Sequence, residues 1–216
     1  MPDVILKNLP FLLQGLWLTL TLSVWSIALG TALGLVVGTV RFVRLPVLNA
    51  AALVYVEFIR GTPLLVVLFI TYFALPALFG YHTTAYRAAV LGFVLFIGAY
   101  LAEDFRSGLR AVRPTLIQAG LATGLTRWQV LRFIILPQAI RRVLPSLFNQ
   151  YVRLIKFTSV ASVIGVTELT GAGLLVNARE FQPVTILASI AVVYLVVCML
   201  LSLAGRALYA RFAVRT

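Results

Sequence analysis

Residues 114–137 read PTLIQAGLATGLTRWQVLRFIILP and lie within a basic region, residues 106–142, of a very apolar chain. Pro114 suits the first turn of a helix, and Gly124 suits a glycine cap at the helix end. Thr126 is predicted to cap a second helix, with Gln129 as its capping-box partner. The stretch is therefore predicted to form two short helices that are joined at Gly124 and project from the apolar body.

Within the second of these helices, Trp128, Leu131 and Ile135 are predicted to share one apolar face, with Arg127 toward a more polar one. Pro137 is predicted to interrupt this helix, because proline lacks an N–H donor and crowds the preceding turn. An amphipathic helix of this kind either lies on lipid headgroups or docks against a partner protein. The residue pattern alone leaves both alternatives open.

Composition places the rest of the chain in a membrane. Of the 216 residues, 62% are hydrophobic and only 11% are charged, and the mean hydropathy is +1.04. Several apolar runs reach the roughly 20 residues that are needed to cross a bilayer. We expect one all-α transmembrane domain over residues 1–216, with about five spans at 11–43, 47–79, 86–105, 146–166 and 184–209. The second span is interrupted at residues 60–63, and a sixth span would require this segment to turn back, which its length disfavours.

The distribution of arginine and lysine predicts the orientation of these spans. With residues 106–145 inside, the cytoplasmic segments hold twelve basic residues, and the opposite side holds only Lys7, Arg87 and Arg179. By the positive-inside rule the N-terminus is expected outside and the C-terminus inside. The twelve are Arg41, Arg44, Arg106, Arg110, Arg113, Arg127, Arg132, Arg141, Arg142, Arg206, Arg211 and Arg215.

The sequence offers little for enzymatic chemistry. The net charge of +12 comes largely from arginines that flank apolar runs, so membrane orientation explains it better than nucleic-acid binding. His82 is the only histidine and Cys198 the only cysteine, which excludes a disulfide and disfavours a histidine-based metal site. No Gly-x4-Gly-Lys-Ser/Thr phosphate loop is present. We expect a chain that is not an enzyme.

Ionisable residues inside the predicted spans need an explanation, because unpaired charges are costly in a bilayer. Glu57 and Arg60 are three residues apart on one helix, so they either neutralise each other or face a cavity. Gly61 and Pro63 break the same helix and free backbone groups, as helix breaks along transport pathways do. In the fourth span a polar stripe must face a partner helix, a partner subunit or a water-filled path. It comprises Asn149, Arg153, Lys156 and Ser159.

The first span carries three glycines at intervals of four residues, Gly30, Gly34 and Gly38. They create a helix face that another helix can approach closely. The pattern favours ordinary packing within the chain, and a subunit interface is the alternative.

The 114–137 segment resembles the cytoplasmic coupling motif of ATP-binding-cassette (ABC) importer permeases, EAA-x3-Gly-x9-Ile-x-Leu-Pro. Gly124, Ile134, Leu136 and Pro137 match it in register, whereas the EAA triplet falls on residues 118–120 (QAG). The resemblance extends along nearly the whole chain to the polar amino-acid branch of these permeases. It includes 55–65 (YVEFIRGTPLL), 99–103 (AYLAE), 136–139 (LPQA), 158–159 (TS), 164–166 (IGV) and 168–170 (ELT).

The resemblance implies a type I importer transmembrane domain with coupling helices between spans three and four. It implies that separate subunits bind ATP and Mg²⁺, that a second permease, identical or homologous, pairs with this chain, and that an extracytoplasmic protein delivers a polar amino acid. It places the protein in a bacterial inner membrane. The ATPase would contact Gln118, Ala119, Gly120, Gly124, Leu125, Thr126, Arg127 and Trp128. The pathway would include Glu57, Arg60, Gly61, Thr62, Pro63, Asn149, Arg153, Lys156, Thr158 and Ser159.

Two positions depart from the family pattern. Phe157 stands where many relatives have an acidic or amide residue after the lysine, and Gln118 replaces the glutamate of the EAA triplet. A carboxylate at 157 could pair with a cationic substrate, and phenylalanine cannot. Either the substrate is not recognised through such a group, or this chain is the non-binding half of a heterodimer. The altered triplet would suit an asymmetric heterodimer as well. Two other classes remain open, an ion-gradient-driven secondary transporter and a membrane scaffold subunit without transport activity.

Overall fold

The computed structural model describes residues 2–44 and 46–212 as an assembly of helices without strands. Side chains at Pro2, Arg211 and Phe212 are not described, and Arg215, which contributes to the predicted orientation, lies outside the described residues. The ten α-helices of this part are α1 Pro2–Val43, α2 Pro46–Gly61, α3 Leu64–Phe69, α4 Leu75–Phe79, α5 Ala85–Arg110, α6 Pro114–Ala122, α7 Arg127–Val130, α8 Leu136–Phe157, α9 Leu169–Glu180 and α10 Pro183–Phe212.

Three of these helices, α1, α5 and α10, are long and apolar enough to cross a membrane alone. Two further candidates are bent pairs: Pro46–Gly61 with Leu64–Phe79 at 113°, and Arg127–Ile164 with Leu169–Glu180 at 50°. If each bent pair counts as one span, the total is five, in agreement with the sequence. The first helix begins near Pro2 rather than at residue 11, and α5 continues to Arg110 rather than ending at 105.

Helix α5 lies at the centre of the fold. Phe93 and Leu101 on this helix are fully buried, and they share a core cluster with Leu22 of α1 and Leu154 of α8. An apolar core of this kind holds the helices that carry the predicted pathway residues against one another.

The glycine face of α1 packs against α5. A Cβ atom added at Gly30 would lie 2.3 Å from Ile97 Cγ2, and one at Gly34 would lie 2.6 Å from Leu101 Cβ. At Gly38 the nearest atom would be the backbone oxygen of Ala102, at 2.7 Å. Packing within the chain is therefore confirmed for this face, and the alternative of a subunit interface there is wrong.

The prediction that Pro137 interrupts its helix is wrong. A π-helical turn at Leu131–Ile135 joins α7 to α8, and Pro137 lies in the first turn of α8. The same arrangement occurs earlier, where a π-helical turn at Ile70–Ala74 precedes Pro76 in α4. A π-helical turn shifts the hydrogen-bond register, so a following proline can be accommodated without ending the helix.

Candidate functional site

The coupling segment has the local structure that its sequence predicts. Helix α6 starts at Pro114, and the chain reverses at Gly124, whose φ of +86° lies in the left-handed region that favours glycine. The Thr126 hydroxyl accepts from the Gln129 backbone N–H at 3.3 Å, and the Gln129 side-chain oxygen accepts from the Thr126 backbone N–H at 2.8 Å. The predicted capping box is confirmed.

A small core fixes α6 and α7 against the end of α5. Val112, Val130 and Ile135 are buried together. Gly120 packs so closely that an added Cβ would lie 2.5 Å from Ile134 Cδ1. Glycine rather than alanine at the third position of the triplet therefore permits this approach.

The prediction of a shared apolar face for Trp128, Leu131 and Ile135 is wrong for Trp128, which is 65% exposed. The π-helical turn changes the angular spacing of the residues after Val130, so a regular helical projection misplaces the tryptophan. Except for the buried Gly120 and the half-buried Leu125, the predicted ATPase contacts are exposed: Gln118, Ala119, Gly124, Thr126, Arg127 and Trp128.

The interruption of the second span is a sharp, open corner. Helix α2 ends at Gly61, and α3 begins after Pro63, whose ψ of 138° is not helical. No atom lies within 4 Å of a Cβ added at Gly61, and no side chain caps α3. The Thr62 hydroxyl donates to the Phe58 carbonyl at 2.7 Å. Backbone groups at this corner are thus accessible, as a pathway role requires.

Glu57 and Arg60 do not form the internal ion pair that their spacing permits. Both side chains are exposed, and the salt bridges among the described residues join other groups. The Arg60 guanidinium instead lies over the ring of Tyr100, 5.5 Å from its centroid. Arg60 thus contacts the Tyr100 ring of α5 and not the Glu57 carboxylate on its own helix.

Arg153 of the fourth-span stripe also lies over Tyr100, with its guanidinium 5.8 Å from the ring centroid. Tyr100 therefore receives one arginine from α2 and one from α8. Sequence reasoning quoted Tyr100 only as part of a family motif and gave it no role. Its spacing from Arg60 and Arg153 carries no signal, because the contact joins three different helices.

The remaining residues of the stripe and the neighbouring pathway residue Thr158 do not share one environment. Asn149 and Lys156 line grooves between α8 and α10. Ser159 is half-buried, and its hydroxyl donates to the Lys156 carbonyl at 2.7 Å. Thr158 is fully buried, with its hydroxyl donating to the Ile155 carbonyl. The structure therefore does not bring Thr158 to the exposed polar surface.

Phe157 faces the interior of the chain. Its ring packs edge-on against Phe96 of α5, with 5.8 Å between ring centroids. It also contacts both core clusters that flank α5. The departure from the family pattern at position 157 thus fills an apolar site between helices.

A charge cluster that sequence reasoning missed lies near the end of α5. Glu103 accepts hydrogen bonds from Arg41 of α1 and from Arg106 one turn further along α5. Arg41 is buried, so this contact supplies the counter-charge that a buried guanidinium needs. The Arg106 contact has (i, i+3) spacing and could have been read from the sequence, whereas the Arg41 contact is long-range.

Residues 30–214 match the family described as Binding-protein-dependent transport system inner membrane component. The chain belongs to that family. The matched region includes the open corner, the coupling segment and the three helices around Tyr100. This protein is accordingly a multi-pass membrane permease subunit, and its predicted fold class is confirmed.

The relatives extend over nearly the whole chain. The glutamine transport system permease protein GlnP of Escherichia coli K12 is 40% identical over 95% of this chain and 94% of its own length. A probable glutamine ABC transporter permease protein GlnP of Bacillus subtilis is 39% identical, with 95% of both chains covered. A probable amino-acid ABC transporter permease protein, PatM of Vibrio harveyi, is 35% identical over 89% of this chain and 87% of its own.

Solved structures agree with this fold. The crystal structure of an amino acid ABC transporter with histidines aligns with a TM-score of 0.90 and 30% identity over 96% of each chain. The MetNI methionine ABC transporter in an inward-facing conformation gives a TM-score of 0.81 over 96% of this chain and 99% of its own. At 20% identity the second comparison bears on the fold alone.

Proposed function

We propose that this chain is the membrane-spanning subunit of an ATP-driven importer for a polar amino acid in a bacterial inner membrane. The exposed coupling segment carries the proposal, because a capped and rigid pair of cytoplasmic helices provides a surface for a motor protein. The transport roles in the names of the E. coli and B. subtilis relatives support the substrate class.

The chain has no phosphate-binding loop of its own. ATP and Mg²⁺ are therefore assigned to two separate ATPase subunits that dock around residues 118–128. A second permease, identical or homologous, pairs with this chain, and an extracytoplasmic protein delivers the amino acid. Residues 1–216 act as one permease domain, with residues 106–145 as its coupling region.

The sequence of events follows from the positions of these surfaces. ATP binding draws the two ATPases together and pulls on α6 and α7. Val130 and Ile135 are buried against the end of α5, so this movement is passed to α5. It is also passed to α8, because the π-helical turn at Leu131–Ile135 joins α7 to α8 without a break. The pathway then opens outward, accepts the amino acid and returns inward after hydrolysis.

Purification of the complex tests the class directly. We expect an ABC ATPase to co-purify with this chain from its native membrane in mild detergent, as identified by mass spectrometry. In proteoliposomes with the binding protein outside and ATP inside, uptake should follow ATP hydrolysis. Uptake driven by a proton or sodium gradient without ATP would identify a secondary transporter instead. A complex with neither uptake nor substrate-dependent ATPase activity would identify a scaffold.

Gly124→Leu tests the coupling surface, and Gly80→Leu is a matched control. Both glycines are left-handed, with φ of +86° and +65°, and neither has an atom within 4 Å of an added Cβ. Each substitution therefore costs about 1–2 kcal/mol of backbone strain. We expect only Gly124→Leu to abolish ATP-driven uptake and ATPase association. Equal uptake by the two variants would contradict the docking site.

A further inference from the structure

Tyr100 contacts two arginines that lie within the predicted membrane spans. The guanidinium of Arg60 comes from the end of α2, beside the open corner, and that of Arg153 comes from α8. They lie 5.5 Å and 5.8 Å from the ring centroid. Each cation gains from the negative face of the ring, which holds both in place without neutralising either.

Neither arginine has a counter-ion in the described part of the chain. The salt bridges found there use Lys7, Arg41 and Arg106 as cations, and Arg60 and Arg153 donate no side-chain hydrogen bond to a described residue. Both side chains are exposed on the surface of the single chain. Charged groups at membrane depth face a partner or an aqueous cavity rather than lipid. Among the described residues, the pair therefore has no anion within salt-bridge distance.

The surroundings favour a small carboxylate as that anion. A carboxylate has two oxygens and accepts hydrogen bonds from guanidinium groups with matching planar geometry. The adjoining corner at Gly61 is open, so a small molecule can reach Arg60. Glu103 cannot serve, because Arg41 and Arg106 already bind its two oxygens.

We propose that Arg60 and Arg153, both held against the Tyr100 ring, form a clamp for the α-carboxylate of the transported amino acid. This inference rests on the proposed function and adds to it the group of the substrate that this chain recognises. In the clamp the arginines contact the substrate, and Tyr100 is a positioning residue. The clamp requires a free carboxylate and is indifferent to a neutral side chain beyond it.

The first experiment measures ATP-driven glutamine uptake in proteoliposomes that hold the complete complex, with saturating loaded binding protein. We expect Arg60→Gln and Arg153→Gln each to lower uptake about tenfold or more, since each removes a charge-assisted hydrogen bond. Tyr100→Phe should retain uptake because the ring remains, whereas Tyr100→Leu should lose it. Arg87→Gln, an exposed arginine in the first turn of α5, is the control and should behave as wild type.

Three results would overturn the clamp. Undiminished uptake by both arginine variants would do so, as would a Tyr100→Leu variant that transports normally. Loss of the second permease during purification of Arg60→Gln or Arg153→Gln would show that the arginines bind a carboxylate of the partner subunit instead. If wild type itself fails to take up glutamine or any other amino acid with ATP, the proposed function fails, independently of the ratio between variants.

A second measurement examines the substrate group without the binding protein. Glutamine at millimolar concentration should raise the apparent unfolding temperature of the purified permease–ATPase complex in nanodiscs, because a ligand that binds the folded state stabilises it. The α-amide of glutamine, which has lost the carboxylate charge, should produce no shift. Arg153→Gln should abolish the difference between the two compounds. Equal shifts in wild type, or no shift with either compound, would contradict the clamp.

Discussion

The two bent helix pairs break in opposite ways. At the first break, the corner after α2, Gly61 is exposed, and α3 has no side-chain cap. At the second break, before α9, Glu168 is fully buried, and its carboxylate accepts from the backbone N–H groups of Thr170 and Gly171 at 2.9 Å. The Tyr194 hydroxyl donates to the same carboxylate at 2.7 Å.

This difference separates a break made for structure from one available for function. At the second break, the Glu168 side chain accepts hydrogen bonds from the first backbone N–H groups of α9. The Thr19 hydroxyl of α1 accepts another, from the Leu169 N–H at 3.0 Å. The first break leaves polar backbone groups accessible next to Arg60. In a membrane such exposure is tolerated only beside protein or water, so the open break is the one expected at the pathway.

Glu168→Ala should give the largest loss of stability. It would leave the buried Gly171 N–H, the half-buried Thr170 N–H and the Tyr194 hydroxyl without their acceptor, which should cost about 3 kcal/mol or more. We expect a much lower apparent unfolding temperature for the purified complex, and poor recovery from the membrane.

Glu168→Gln refines this prediction. The amide keeps one acceptor oxygen, so about half of the destabilisation should remain. Glu57→Gln at the exposed face of α2 is the control and should unfold as wild type does. A Glu168→Ala protein as stable as wild type would show that the second break is not held by its cap.

A pair of glycine substitutions compares the two breaks directly. A Cβ at Gly171 would lie 2.6 Å from the Val166 backbone oxygen, whereas no atom lies within 4 Å of one at Gly61. Gly171→Ala should therefore destabilise by about 1–3 kcal/mol. Gly61→Ala should change stability by less than about 1 kcal/mol, with stabilisation expected. Thermal unfolding of both variants in the same detergent measures the difference. Equal shifts of the apparent unfolding temperature would contradict the distinction between an exposed break after α2 and an enclosed break before α9.

Local signals in the sequence predicted much of this protein. The Gly124 turn, the Thr126 capping box and the glycine face of α1 each depend on residues a few positions apart, and the structure confirms them. The break at Gly61 and Pro63 was predicted for the same reason. The sequence also indicated the importer family through motifs in the correct order.

Features that depend on distant residues were missed or mistaken. Arg60 had a carboxylate three residues away, yet it lies over Tyr100, 40 positions along the chain. Glu168 was noted only within the 168–170 motif, because nothing near it in the sequence shows that Thr19 and Tyr194 would enclose it. Pro137 was expected to end a helix, because a π-helical turn has no recognisable sequence signal.

Pro63→Ala should affect transport more than stability. Alanine supplies the missing N–H and accepts helical angles, so α2 and α3 can approach a continuous helix and move Arg60 from Tyr100. We expect ATP-driven uptake to fall about tenfold, an effect of about 1.4 kcal/mol on the transport step. Pro10→Ala is the control, because Pro10 lies within the uninterrupted α1. A fully active Pro63→Ala protein would contradict a functional role for the corner.

Removal of the ion pair between Lys7, near the start of α1, and Glu180, at the end of α9, should have the smallest effect. The Lys7 ammonium donates to Glu180 at 3.0 Å, and this hydrogen bond, with a second from Asn8, lowers the pKa of the Glu180 carboxyl. A lowered pKa contributes stability above the unfolded value of about 4.3, and this contribution is lost as the pH falls through the lower folded value.

Because the Lys7 side chain is 72% exposed, water and salt screen most of the attraction. Lys7→Gln should therefore lower the apparent unfolding temperature slightly at pH 7 and low salt, and the difference from wild type should shrink as the pH falls below about 4, or in 1 M salt. Arg179→Gln, the neighbouring exposed cation on α9, should show no such pH dependence. A difference that does not shrink as the pH falls would mean that Lys7 acts through packing of its side chain and not through its charge.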